Sequence, residues 1–257
     1  QNIVTFGVDT EYTGIRESAS RWAIAPVLLL IVIGGSFIKS VISGTVAKET
    51  TEDTRARGFA IFYMMVNIGA FTGKTVVSPL RKSLGDQGLV YLNYFSATMT
   101  LIALIAVFFL YKSAQTQGKG KSIKEISQAL IKVCSNWRLV ALILIISGFW
   151  MIQQQMYATM PKYVIRLVGQ DASPEWIANV NPFVVLLLVN LVTSLMRKKS
   201  ALASMTVGMF IIPFSALFMA GGSLFPQGEM ILGLHPITFM MIVGIAFQAI
   251  AECFISP

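Results

Sequence analysis

The fold class predicted is an all-α membrane protein with seven membrane-spanning helices, and three observations predict it. The 257-residue chain is 55% hydrophobic and only 12% charged, where soluble domains carry roughly 25% charged residues. Seven runs are apolar enough, at about 20 residues each, to cross a bilayer: Trp22–Ala47, Gly58–Pro79, Leu89–Tyr111, Arg138–Pro161, Trp176–Met196, Ala201–Phe225 and Pro236–Pro257. Trp22, Tyr91, Tyr94, Tyr111, Trp137, Tyr163 and Trp176 fall near the ends of these runs, as interfacial aromatic belts do. Seven such runs would not fit one aqueous core.

Residues 1–21 form a polar leader without the apolar stretch of a secretory signal. Residues 22–111 hold three spans, expected to belong to a first helical bundle. Residues 112–136 are a linker. Its first part, Lys112 to Lys121, is rich in Gly and Lys; its second places Ile123, Ile126, Leu130 and Val133 at helical spacing between lysines. That pattern predicts an amphipathic helix on the membrane surface. Ser122 and Glu125 have the spacing of a capping box for its start. Residues 137–257 hold four more spans, expected to belong to a second bundle.

The net charge of +8 is distributed as a topology signal. Lys48, Arg55 and Arg57 follow the first span, six basic residues lie between Lys112 and Arg138, and Arg197, Lys198 and Lys199 follow the fifth; the alternate loops hold Arg81, Lys82, Lys162 and Arg166. The excess of basic residues marks the cytoplasmic side. The N-terminus of the chain is then expected outside a plasma (inner) membrane and the C-terminus in the cytoplasm. The same distribution explains the positive charge without nucleic acid as a partner. Cys134 and Cys253 are too far apart in depth to suggest a disulfide, and His235 stands alone beside Pro236. No metal-ligand spacing, nucleophile–base pair or phosphate loop points to an enzyme or a cofactor.

Two charges stand out within apolar runs, Lys39 and Glu252. A charge at the bilayer centre costs at least ~2.5–3.5 kcal/mol and so normally faces a partner, a cavity or a substrate path. Lys39 either serves that purpose or snorkels to the nearby polar edge. Asn67 and Asn181 are amides in mid-span, where they either line a site or join neighbouring helices. Pro182 after Asn181 frees a backbone group that a cavity could satisfy.

A family resemblance follows from five segments in order. Arg55-Ala-Arg-Gly58-Phe-Ala-Ile-Phe62-Tyr63-Met-Met-Val-Asn67-Ile-Gly69-Ala70 resembles the signature of the proton-dependent oligopeptide transporters, a branch of the major facilitator superfamily. Gly34-Gly-Ser-Phe-Ile-Lys39, Phe149-Trp150-Met-Ile-Gln-Gln154-Gln155, Asn181-Pro182 after Trp176, and Ala251-Glu252-Cys-Phe-Ile-Ser256-Pro257 are similar to four further segments of that family. The resemblance implies a major facilitator helical bundle of which this chain would be the fourth to tenth helices, a fragment of a longer protein. It implies a secondary transporter taking up peptides or related zwitterionic solutes by alternating access. Lys39 would face the central cavity, and Glu252 would meet the solute's amino group. Tyr63, Trp150, Asn67, Asn181 and Ser256 would line the site. Gln154 stands where the family has an acidic residue linked to proton coupling, and a glutamine cannot exchange a proton near neutral pH. Protons are therefore an open partner. The alternative is a non-transporting accessory subunit of a larger membrane complex; a seven-helix receptor is a further one.

Overall fold

The computed structural model describes residues 22, 24–84, 86–111, 122–169, 172–226 and 228–255. The polar leader, the Gly- and Lys-rich stretch 112–121, Ser256 and the side chain of Lys39 lie outside the described set.

Among the described residues nine α-helices follow in order: α1 Ile24–Glu49, α2 Arg55–Leu84, α3 Asp86–Leu110, α4 Ile123–Ser135, α5 Trp137–Ala158, α6 Met160–Val168, α7 Pro174–Met196, α8 Ala201–Gly221 and α9 Pro236–Ile255. Among the described residues there is no strand beyond the isolated bridge Ile231–Leu234. Seven stretches among the described residues are long and apolar enough to cross a membrane, and each coincides with one of the runs expected from sequence. The chain is thus an all-α, multi-pass membrane protein.

Two boundaries differ from expectation. The fourth run continues to Val168 as α5 and α6, broken only at Thr159. Pro161 sits in the first turn of α6, where its missing N–H has no helical acceptor to lose. Lys162 and Arg166 therefore lie on a helix rather than in a loop. Likewise α2 runs through Pro79 to Leu84 and carries Lys82 on its last turn.

The linker helix α4 starts as its spacing predicts. The Ser122 hydroxyl accepts from the Glu125 N–H at 3.3 Å, and the Glu125 carboxylate accepts from the Ser122 N–H at 2.9 Å. Ile123, Ile126, Leu130 and Val133 are all exposed, so α4 keeps an unpartnered apolar face.

The chain divides into two compact units, one of residues 1–92 and 175–257, the other of residues 93–174. In the first, Val185, Val189 and Val192 of α7 pack with Ala249 and Cys253 of α9, and Tyr63 and Met64 of α2 join them. The α8–α9 pair is the tightest contact. A Cβ added at Gly208 would lie 2.7 Å from the Ala251 carbonyl, one at Gly244 2.8 Å from the Ser215 carbonyl, and one at Gly222 2.9 Å from the Ile237 Cα. Each step of seven residues along α8 and into the turn that follows it is matched by seven back along α9, the repeat of an antiparallel left-handed seam. Small residues at each crossing let the two backbones approach. The second unit holds most of α3 with α4, α5 and α6; Phe149, Met156, Met160 and Val164 are buried there. Trp150 meets Phe149 edge-on, with ring centroids 5.6 Å apart.

Candidate functional site

Glu252 is the one buried carboxylate among the described residues, at 5% exposure. It lies one turn from the end of α9, on the same face as the buried Gln248. Its two oxygens are held from two other helices. The Tyr63 hydroxyl of α2 donates to Oε1, and the Asn181 Nδ2 of α7 donates to Oε2 at 2.8 Å. A buried charge is tolerated when its lone pairs are satisfied in this way. The valines beneath these groups keep the surroundings apolar, which strengthens each bond relative to water.

The sequence dictates these placements. Tyr63 and Asn67 are four residues apart, so they share one face of α2. The Asn67 amide donates to the Tyr63 carbonyl at 2.9 Å and is itself buried at 6% exposure. Asn67 thus braces the turn that presents Tyr63 and makes no described contact with Glu252. Asn181 precedes Pro182, which lies inside α7 and interrupts its hydrogen-bond ladder there.

A second set of polar groups continues along the same helices. Asn179 of α7 is 3% exposed. Its Nδ2 donates to the Thr75 hydroxyl at 3.0 Å and to the Phe71 carbonyl at 3.3 Å. Phe71 in turn meets Phe183 with ring centroids 5.8 Å apart. Lys74, next to Thr75, is partly buried.

The expected site residues therefore fall into groups. Glu252, Tyr63, Asn181 and Asn67 come together. Trp150 and Gln154 lie on α5 in the other unit, Trp150 half-buried and Gln154 exposed; the buried glutamine of that run is Gln153, at 2% exposure. Lys39 is on α1. Sequence reasoning missed Lys74 and Asn179. Lys74 carried the same signal as Lys39, a charge inside an apolar run. Asn179 is an amide in the same span as Asn181, and the Asn-Pro pair drew attention away from it. The described residues contain no group of His, Cys, Asp and Glu able to hold a metal ion.

Against known proteins, the family model described as Major Facilitator Superfamily matches residues 12–257. No curated protein and no solved structure matches the chain.

Proposed function

Because the chain belongs to the major facilitator superfamily, whose members are membrane transporters, we propose that it carries a small zwitterionic, peptide-like solute across the plasma (inner) membrane, with Glu252 as the group that receives the solute's ammonium. The observation that carries this reading is the buried Glu252 carboxylate held jointly by Tyr63 and Asn181. A carboxylate kept in an apolar setting is poised for a cation, and the hydrogen bonds it now makes are replaceable.

The exchange links binding to movement. Tyr63 on α2 and Asn181 on α7 both close on α9 through one side chain. An arriving ammonium competes for the same oxygens and loosens α9 from both helices. A solute shifts such an equilibrium only by its differential affinity for the two states, and competition for one carboxylate supplies that difference. Alternating access then follows as rocking of two bundles about the site. In this reading the basic loops face the cytoplasm. Gln154 cannot titrate, so any proton coupled to transport would fall to Glu252.

The test is uptake of a radiolabelled dipeptide into proteoliposomes holding wild type or Glu252→Gln. The variant keeps the shape and an acceptor oxygen but removes the charge. Uptake is expected to be lost while circular dichroism stays helical. Undiminished uptake by the variant would refute the assignment.

A further inference from the structure

We propose that the hairpin joining α8 to α9 is a lipid anchor: its tip, Leu232 with Met230, inserts into the bilayer interface on the side opposite the basic loop Arg197–Lys199. Glu252 lies at the far end of α9, so this surface is separate from the candidate site. Its contact with lipid does not depend on which solute is carried.

The loop has the wrong composition for water. Between α8 and α9 the sequence reads Gly222-Ser-Leu-Phe-Pro-Gln-Gly-Glu-Met-Ile-Leu-Gly-Leu-His235, with Glu229 as its one formal charge. Leu224 is 86% exposed, Met230 69% and Leu232 87%, and Phe225 and Leu234 are exposed as well. A cluster of exposed apolar side chains marks a contact surface. The absence of Lys and Arg from the loop excludes a surface built for anionic headgroups and leaves apolar insertion.

The turn itself singles out Leu232. Ile231 and Leu234 exchange two backbone hydrogen bonds, each 2.9 Å, around central residues Leu232 at φ 51° and Gly233 at φ 78°. Positive φ at both central positions is the pattern of a type I′ turn, which favours Asn, Asp or Gly at the first of them. Leucine there is strained, and Leu232 is the one non-glycine residue with positive φ among those described. Neither the turn nor water selects a leucine at this point. A lipid surface does, because it gains from an apolar side chain at the outermost position. The backbone suits the same place: the paired bonds across the turn, and the bond from the Glu229 N–H to the Pro226 carbonyl at 3.3 Å, satisfy polar groups that lipid would not.

Continuity with the spanning helices supplies the occupant. The end of α8 and the start of α9 touch, since a Cβ added at Gly222 would lie 2.9 Å from the Ile237 Cα. The His235 Nδ1 accepts from the Ile237 N–H at 3.3 Å and fixes where the chain enters α9. Leu232 precedes Pro236 by four residues, a reach of at most about 14 Å. The tip is therefore held near the bilayer surface from which both helices emerge.

The experiment measures the depth of the tip in phosphatidylcholine nanodiscs, which leave both membrane faces accessible. Leu232→Cys, Met230→Cys and Lys198→Cys are each made in a Cys134→Ser background, where the remaining Cys253 is buried, and labelled with an environment-sensitive fluorophore. Quenching by nitroxide-bearing lipid is compared with quenching by aqueous iodide. The Leu232 and Met230 probes are expected to be quenched by the lipid and spared by iodide, and the Lys198 probe to show the reverse. Leu232→Asn is then added to the Met230→Cys protein. Asparagine suits the positive φ, so the turn is kept while the apolar tip is lost. The balance between inserted and lifted hairpin should shift toward water about tenfold or more, read as iodide quenching gained and nitroxide quenching lost at the Met230 probe. Hairpin probes that behave like the Lys198 probe would overturn the proposal, because the loop then stands in water. Probes spared by both quenchers would overturn it too, because protein then covers the hairpin. Unchanged quenching of the Met230 probe in the Leu232→Asn protein would show that the leucine is no anchor.

Discussion

Gly244→Ala adds one methyl group at a close crossing of α8 and α9. The new Cβ would lie 2.8 Å from the Ser215 carbonyl oxygen and 2.5 Å from the Met219 Cγ, against an ordinary contact of at least 3.4 Å. The methionine can swing aside, but the carbonyl belongs to the backbone of α8. The two helices must separate by about 0.6 Å at that point. Overpacking of this kind costs about 1–3 kcal/mol. Replacing glycine by alanine inside a helix returns about 1 kcal/mol. The net loss is about 1 kcal/mol, equivalent to a fall of about 2–4 °C in Tm for a domain of this size.

The control is Gly69→Ala on α2, where an added Cβ meets nothing within 4 Å. It should raise Tm by a similar amount through helix propensity alone. The double variant Gly208→Ala, Gly244→Ala sharpens the argument. Gly208 faces the Ala251 carbonyl one heptad away, so both methyl groups push the same two helices apart. Once one has separated them the second fits at little further cost, and the double variant should lose less than the sum of the singles. The assay is thermal unfolding of the detergent-purified proteins followed by tryptophan emission. A rise in Tm for Gly244→Ala matching that of Gly69→Ala would refute the close approach of α8 and α9. Strict additivity in the double variant would refute the shared separation.

Two further outcomes can be checked on the same preparations. Asn181→Leu removes one donor from the buried Glu252 carboxylate, bonded at 2.8 Å, and should cost about 1.5–3 kcal/mol of stability in thermal unfolding; Asn181→Leu combined with Glu252→Gln should cost less than the sum of the singles, since the charge left unsatisfied is gone. Cys134 is exposed at the end of α4, whereas Cys253 is buried, so a membrane-impermeant maleimide should label one cysteine per chain in inside-out vesicles and none in right-side-out vesicles, with the reverse pattern overturning the cytoplasmic placement of the linker.

The helices were legible because apolar runs of bilayer length need no knowledge of what they touch. The start of α4 was legible for a different reason: its capping box joins residues three apart, so sequence contains both partners. The α5–α6 break was not, because Pro161 suits the end of one helix and the start of another equally well. Three consecutive glutamines lie about 100° apart around α5, and no local rule selects which one turns inward; the structure buries Gln153 and exposes Gln154. The site is legible only as a set of costly groups. Asn179 and Asn181 are two residues apart and so point to nearly opposite sides of α7. One therefore meets Thr75 on α2 and the other Glu252 on α9. Tyr63 and Glu252 are separated by 189 residues, and Tyr63 alone is an ordinary residue of its helix. The cost of a charge in lipid says that Glu252, Lys39 and Lys74 each need a counterpart. It does not say which, because the counterpart is chosen by how the helices pack. That is why Lys74, flanked by Gly73 and Thr75, was passed over in the sequence.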